Sequence, residues 1–278
     1  MVGPWMRGWC GRWAALALAA LTLAMPAAGQ AFLDRIKQRG QVTIGYRVDS
    51  PPFSYLDAVG NPIGYGLDLC QPIALRLATE AGLESPAVRY LPVDVHQVVR
   101  YVKEGNVDLM CTATSATTQR LEVISFSPTI FVASVKVLAR REDGFNALAQ
   151  LDGKAIGVID RTTAAKAVAD HARKNSMSFS VPRLVGPEAA LRLLRLGWIA
   201  GYARDDVLLA VQTAGLPDAA GFHLLPESLS SEDIAIAFAK NDPQLAQIVS
   251  EMLANLNRSG QWGAIYERCF PKPIPPAN

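Results

Sequence analysis

The sequence predicts an α/β protein of two lobes, and three observations carry that expectation. Strand-like apolar runs alternate with segments of helical periodicity along most of the chain. The alternation restarts after a strand that turns polar near Arg140, which gives two similar units in series. The 278 residues are 50% hydrophobic and 19% charged, enough core for one large domain or two small ones. No short repeat is visible, and the one biased segment is "PKPIPP", a docked or frayed end.

The first unit opens with "FLDRIKQRG", a short helix stopped by glycine, and "QVTIGYR", a strand ending near Tyr46. "GYGLDLCQPIALRLATEAG" reads as an amphipathic helix with Ile73, Leu75 and Leu77 among its apolar residues and Gly82 as its stop. "VRYLPV" is a short strand. "DVHQVVRYVKEG" places Val95, Val98, Val99 and Val102 on one helical face, and "NVDLMC" is the next strand. After "SVKVLARRE", the second unit runs through strand "KAIGVID", helix "TTAAKAVADHARK", strand "PRLVG", helix "PEAALRLLRLG" and strand "WIAGYA". "DIAIAFAKND" reads as one more strand, and helices over 243–270 close the series.

Residues 1–31 read as an export signal. Arg7 and Arg12 form a basic start with no acid before Asp34, "WAALALAALTLAM" is an apolar run too short to span a bilayer, and "PAAGQA" offers small residues for cleavage. A membrane anchor is the competing reading. Cys10 precedes the apolar run, so it is not a lipidated cysteine at the cleavage site. The mature chain is expected to be soluble in an exported, oxidising space. Setting Arg7 and Arg12 aside from 27 basic residues leaves them balanced against 25 acidic ones. With no basic run or stripe, nucleic acid is not an expected partner.

Three cysteines follow the signal. One disulfide and one thiol is the simple count, and Cys70 with Cys111 is the expected pair, since both end apolar stretches able to be neighbours in one lobe; three buried thiols remain the alternative. His96, His171 and His223 are scattered without metal-ligand spacing, so neither a metal nor a cofactor is expected.

The most distinctive stretch is "VDLMCTATSATTQRLEVISFSPTIF". A core strand ends at Cys111, and seven small or hydroxylated residues, Thr112 to Thr118, come next, then Gln119 and a lone arginine. Ligands of open α/β sheets bind beyond the carboxyl ends of strands, where Thr114, Ser115, backbone N–H groups and Arg120 can converge on one anion. On spacing alone, capping of the following helix explains the same residues equally well.

These segments, with "VTIGYRVDSPPFSY", "PIGYGLDLCQPIALRLA", "LDGKAIGVIDRTT" and "ARDDVLLA", occur in the order seen in periplasmic amino-acid-binding proteins of ABC importers. The chain most resembles their glutamate/aspartate-binding branch, down to "PIPP". The resemblance implies a type II binding protein: two mixed sheets flanked by helices, joined by a two-strand hinge and closing like a clamp. Lobe I would take 32–133 and 232–278, and lobe II 134–231. It implies a monomer in the periplasm that hands a free L-amino acid to a membrane permease, with no chemistry of its own. Arg120 stands where the family grips the ligand α-carboxylate, with Ser115 and Thr114 beside it. Thr162 and Thr163 match the lobe II helix start. Asp205, or Asp206 next to it, matches the acid for the α-ammonium. Arg47 matches the arginine set against a side-chain carboxylate, and Phe53 and Tyr65 match aromatic positions lining the cleft. The pattern also departs from that branch. Val98 stands for a second arginine, Pro187 for a histidine, and Arg161 for a glycine, where it either restores a cation or points to solvent.

Two other classes compete. Some relatives on this scaffold are exported dehydratases of cyclic acids, for which Asp205, Asp206 and Glu188 would be the acid–base candidates. A sensor lobe would need a transmembrane segment after the domain, which the sequence lacks.

Overall fold

A computed structural model describes residues 28–85 and 87–270. The basic start and apolar run expected to form an export signal, and the proline-rich tail, lie outside the described residues. The walk from the N-terminus begins with α1 (Ala28–Arg39), which starts inside the stretch assigned to signal cleavage and buries Phe32 and Ile36, four residues apart on one face. Then come β1 (Val42–Tyr46), the short strands β2 (Asp49–Ser50), β3 (Ser54–Leu56) and β4 (Pro62–Ile63), α2 (Tyr65–Glu80), β5 (Val88–Pro92), α3 (Val98–Lys103) and β6 (Leu109–Met110). The hydroxyl-rich turn follows and leads into α4 (Thr118–Leu121), β7 (Ile124–Phe126) and the long β8 (Phe131–Arg140). The second unit holds β9 (Ile156–Ile159), α5 (Thr163–Lys174), β10 (Arg183–Leu184), α6 (Pro187–Arg195), β11 (Gly201–Asp205), α7 (Asp206–Ala214), β12 (Phe222–Leu224) and β13 (Ser230–Ile234). The chain returns through β14 (Ala237–Ala239), α8 (Pro243–Arg258) and α9 (Gln261–Cys269).

Two mixed sheets result. The first has the order β5-β1-β6-β14-β7, with β1 parallel to β5 and β6 and β14 antiparallel to β6 and β7. The second has the order β10-β9-β11-β8-β12, with β9 parallel to its neighbours and β8 antiparallel to β11 and β12. β13 pairs antiparallel with β8 from Ser230 opposite Val135 to Ile234 opposite Phe131. These two strands carry the chain out of the first lobe and back, so they form the hinge. All five residues of β1 are buried, as expected of a strand with neighbours on both sides.

Three expectations change in detail. "DIAIAFAKND" is not one strand: Ile234 ends β13 and Ala237 starts β14 in the other sheet. The backbone between them is satisfied locally, since Ala235 N–H donates to the Thr114 carbonyl and Ile236 N–H to the Ser127 hydroxyl. Leu75 is 42% exposed, because Leu69, Ile73 and Leu77 define the buried stripe of α2 and Leu75 falls on its far side. The helix expected from Asp94 begins at Val98. Asp94 instead forms a turn, its Oδ1 accepting the His96 N–H at 2.8 Å, and Val95 leaves the lobe I face to pack against the core of lobe II.

"GYG" explains the start of α2. A Cβ on Gly64 would sit 2.6 Å from the Phe53 carbonyl oxygen, and one on Gly66 2.9 Å from that of Cys111. This close approach lets Tyr65 and Gly66 donate their N–H groups to the Pro52 and Phe53 carbonyls, both at 2.8 Å. It also joins Cys70 to Cys111 in a disulfide spanning 41 residues, with a Cα–Cα distance of 6.3 Å. The bond ties α2 to the point where the hydroxyl-rich turn leaves β6. Cys269 keeps its thiol, and burial first, with Asp68 nearby, pushes it up to about 11, away from a reactive thiolate.

Candidate functional site

A narrow cavity, about 40 Å³, lies between the two lobes. One water needs roughly 10–15 Å³ on this scale, so the space holds a few waters at most. Lobe I contributes Arg47, Val98, Thr114, Ser115 and Arg120, and lobe II contributes Thr162, Thr163, Arg204 and Asp205. A wider groove of about 880 Å³ runs over lobe II past Arg140, Arg192, Arg195 and Phe222. Arg140 pairs there with Glu142 and Asp143 and Arg195 with Asp218, and the groove does not bring a cation from one lobe to an acid from the other as the interlobe cavity does.

The hydroxyl-rich turn serves both purposes that spacing left open. Thr117 caps α4, its hydroxyl accepting the Arg120 N–H at 3.3 Å. Arg120 is thereby fixed over the cavity and spends only Nη1 on the Ser115 carbonyl, at 2.9 Å. Burial holds its guanidinium below the usual arginine value, against the pull of Glu232 and Asp205. Thr114 Oγ1 is buried and has no hydrogen-bond partner among the described residues. A buried hydroxyl left open beside a cation marks a place for a polar ligand group.

Lobe II supplies the start of α5 and the end of β11. The Thr162 hydroxyl donates to the Ile159 carbonyl at 2.7 Å, so it does not cap the helix, and the first turn of α5, with no side-chain cap, lines the cavity. Arg161 is in the left-handed region at φ 57°, and its side chain is 69% exposed beside Asp160; it does not line the cavity. Asp205 ends a strand whose every residue is buried. Burial pushes its carboxyl up to about 6; Arg204 and Arg120 oppose that shift, while Glu232 and Asp206 reinforce it. Asp206 is already committed, its Oδ1 accepting the N–H groups of Ser134 and Val207 at 3.1 and 2.8 Å.

Phe53 and Tyr65 do not line the cavity. Both are fully buried in lobe I, in an aromatic cluster with Phe131, Tyr266 and Phe270 at centroid separations of 4.7–6.1 Å. The Tyr65 hydroxyl donates to the Ile130 carbonyl and accepts from Trp262 Nε1, both at 2.7 Å, which braces the entry of β8 against α9. The close approach enforced by Gly64 and Gly66 turns this region inward. Tyr65→Phe is expected to cost about 1–3 kcal/mol in urea unfolding, because both partners lose their bond in the core. Ligand affinity should stay within a factor of two; a larger loss of affinity would put Tyr65 back in the site.

Pro187 also lies off the cavity, at the start of α6 in a separate groove with Asp49 and Glu188, whereas Val98 is on the wall. Three members of the polar cluster were missed in the sequence. Arg204 is 6% exposed and precedes Asp205 in the fully buried end of β11. Glu232 occupies an inward position of the alternating hinge strand β13, the one signal that marks it. Asp49 accepts both Nε and Nη2 of Arg47, at 2.9 and 2.8 Å, and its carbonyl accepts Arg204 Nη2 across the lobes at 3.0 Å. Among the described residues no group of three or more His, Cys, Asp or Glu is arranged to hold a metal.

Residues 42–272 match the bacterial extracellular solute-binding proteins, family 3. The chain is similar to the glutamate/aspartate import solute-binding protein of Escherichia coli (strain K12), at 26% identity over 92% of this chain and 84% of that protein. It is also similar to the L-glutamate/L-aspartate-binding protein of Pseudomonas aeruginosa, at 28% identity over 88% and 81%. Among solved structures, a mutant of ArgBP from T. maritima superposes with a TM-score of 0.76 at 25% identity, covering 87% of this chain and 100% of that one. The ancestral amino-acid-binding protein AncCDT-1, a precursor of cyclohexadienyl dehydratase, shares the fold at a TM-score of 0.73 and 21% identity, over 86% and 99%.

Proposed function

The chain belongs to the bacterial extracellular solute-binding proteins, family 3, and from that premise we propose that it is the ligand-capturing component of an ABC amino-acid importer. It works in the periplasm as a monomer, holds one free L-amino acid with an acidic or polar side chain, and hands it to a membrane permease. The observation that carries this reading is the meeting of Arg120 from lobe I and Asp205 from lobe II at one closed cavity. A free amino acid is a zwitterion, and each of its buried charges needs an opposite one. Arg120, Ser115, Thr114 and the α5 N-terminus take the α-carboxylate. Asp205 takes the α-ammonium. Arg47 meets the side chain, so glutamate and aspartate, named for the relatives, head the candidates together with their amides. Contacts from both lobes are complete only when the lobes close, so the ligand shifts the population to the closed state.

A micromolar dissociation constant corresponds to about −8 kcal/mol. Several charge-assisted bonds of about 1.5–3 kcal/mol each, less the cost of ordering, reach that value. Titration calorimetry of the exported chain against the common amino acids and dicarboxylates tests the proposal. One-to-one binding without product is expected. Turnover of a cyclic acid, with Asp205 as its acid or base, would overturn the carrier reading in favour of an exported dehydratase.

A further inference from the structure

Arg47 lies at the end of β1 with its side chain almost wholly buried, yet its fork is not open toward the cavity. Nε and Nη2 are both bound to the two oxygens of Asp49, and only Nη1 has no hydrogen bond to another described residue. Asp49 is held in turn by the opposite lobe through the bond from Arg204 Nη2 to its carbonyl, while Arg204 Nη1 donates to Gln212 Oε1 at 3.3 Å. Around the rest of the cavity Arg120 and Arg204 face Asp205 and Glu232, and Asp206 adds a further buried carboxylate, so acids outnumber cations by one. A zwitterion with an uncharged side chain leaves this balance unchanged. A dicarboxylic ligand adds a negative charge for which no cation stands free, and it must displace Asp49 to reach both arms of Arg47.

We propose that Asp49 is a specificity-determining residue, a built-in counter-ion that fills the Arg47 fork and turns the side-chain preference from carboxylate to carboxamide. A carboxamide suits what is left. Its oxygen accepts from Arg47 Nη1, and its NH₂ donates to an Asp49 oxygen. This inference rests on amino-acid capture at the same cavity and chooses between the two side-chain classes that capture allows.

The isosteric pair glutamine and glutamate isolates the effect. Calorimetry on the wild type, Asp49→Asn and Asp49→Ser gives the glutamine-to-glutamate affinity ratio for each, with alanine as a ligand that reports only on the α-groups. The wild type should favour glutamine by tenfold or more. At least one of the two variants should move the ratio fivefold or more toward glutamate, with alanine affinity and melting temperature retained. A wild type that prefers glutamate, or a smaller movement in both folded variants, overturns the role of Asp49 and leaves the carrier reading standing. If no amino acid binds the wild type at all, both fall together.

Discussion

Replacing Arg120 by alanine is expected to weaken every amino acid by on the order of 100-fold or more, whatever its side chain. The guanidinium is the cation that lobe I aims at the cavity without committing its fork, and its backbone is fixed by the Thr117 cap. Truncation removes charge-assisted bonds and leaves a carboxylate buried beside Glu232 and Asp205 with no partner. Such unpaired charges cost about 3–5 kcal/mol. Arg120→Lys keeps the charge and loses the planar fork, so it should fall between the two. Calorimetry on folded variants checks this, with far-UV circular dichroism as the control. An Arg120→Ala protein that binds within fivefold of the wild type would remove the anchor of the transport reading.

Asp205→Asn should have opposite effects on binding and on stability. The free carboxyl is raised from 3.8 to about 6, chiefly by burial. The folded state therefore holds a proton that the unfolded state has released between about pH 4 and 6, and stability falls as pH rises through that window. Above pH 6 the penalty is about 2–3 kcal/mol, at 1.36 kcal/mol per unit. Asparagine removes it, so the unliganded variant should melt higher than the wild type at pH 7 and match it near pH 4. Amino-acid binding should be lost, because the α-ammonium needs the charged form. In the wild type, affinity should drop about tenfold for each pH unit below 6, as protonated Asp205 must first ionise. A variant that binds normally, or a wild-type affinity flat from pH 7 to 5, would remove Asp205 from the site.

Much of the fold could be read in advance because its elements repeat short-range rules. Val98 and Val102 keep helical spacing, and the buried strands "VTIGY" and "IGVI" are continuous apolar runs. What escaped was decided by partners distant in sequence. Nothing local in "DIAIAFAKND" tells that its two halves join different sheets. Nothing in "YRVDS" tells that Asp49 bends back onto Arg47, since charge pairs two residues apart face each other only in some backbone geometries. The aromatic cluster shows the same limit. Phe53 and Tyr65 are apolar residues beside the cleft in sequence, and only the packing of Phe270 from the far end of the chain shows which way they turn.

The sheet order carries one more consequence, for the timing of assembly. Strand β14 sits inside the first sheet, between β6 and β7, although its residues come after the whole of the second lobe. A polypeptide emerging N-terminus first from a ribosome or an export channel can complete the second sheet from one uninterrupted span. The first sheet waits with a gap beside β6 and β7 without a neighbour until Ala237 arrives, so long-range closure of that gap is the late, slow event in making the clamp.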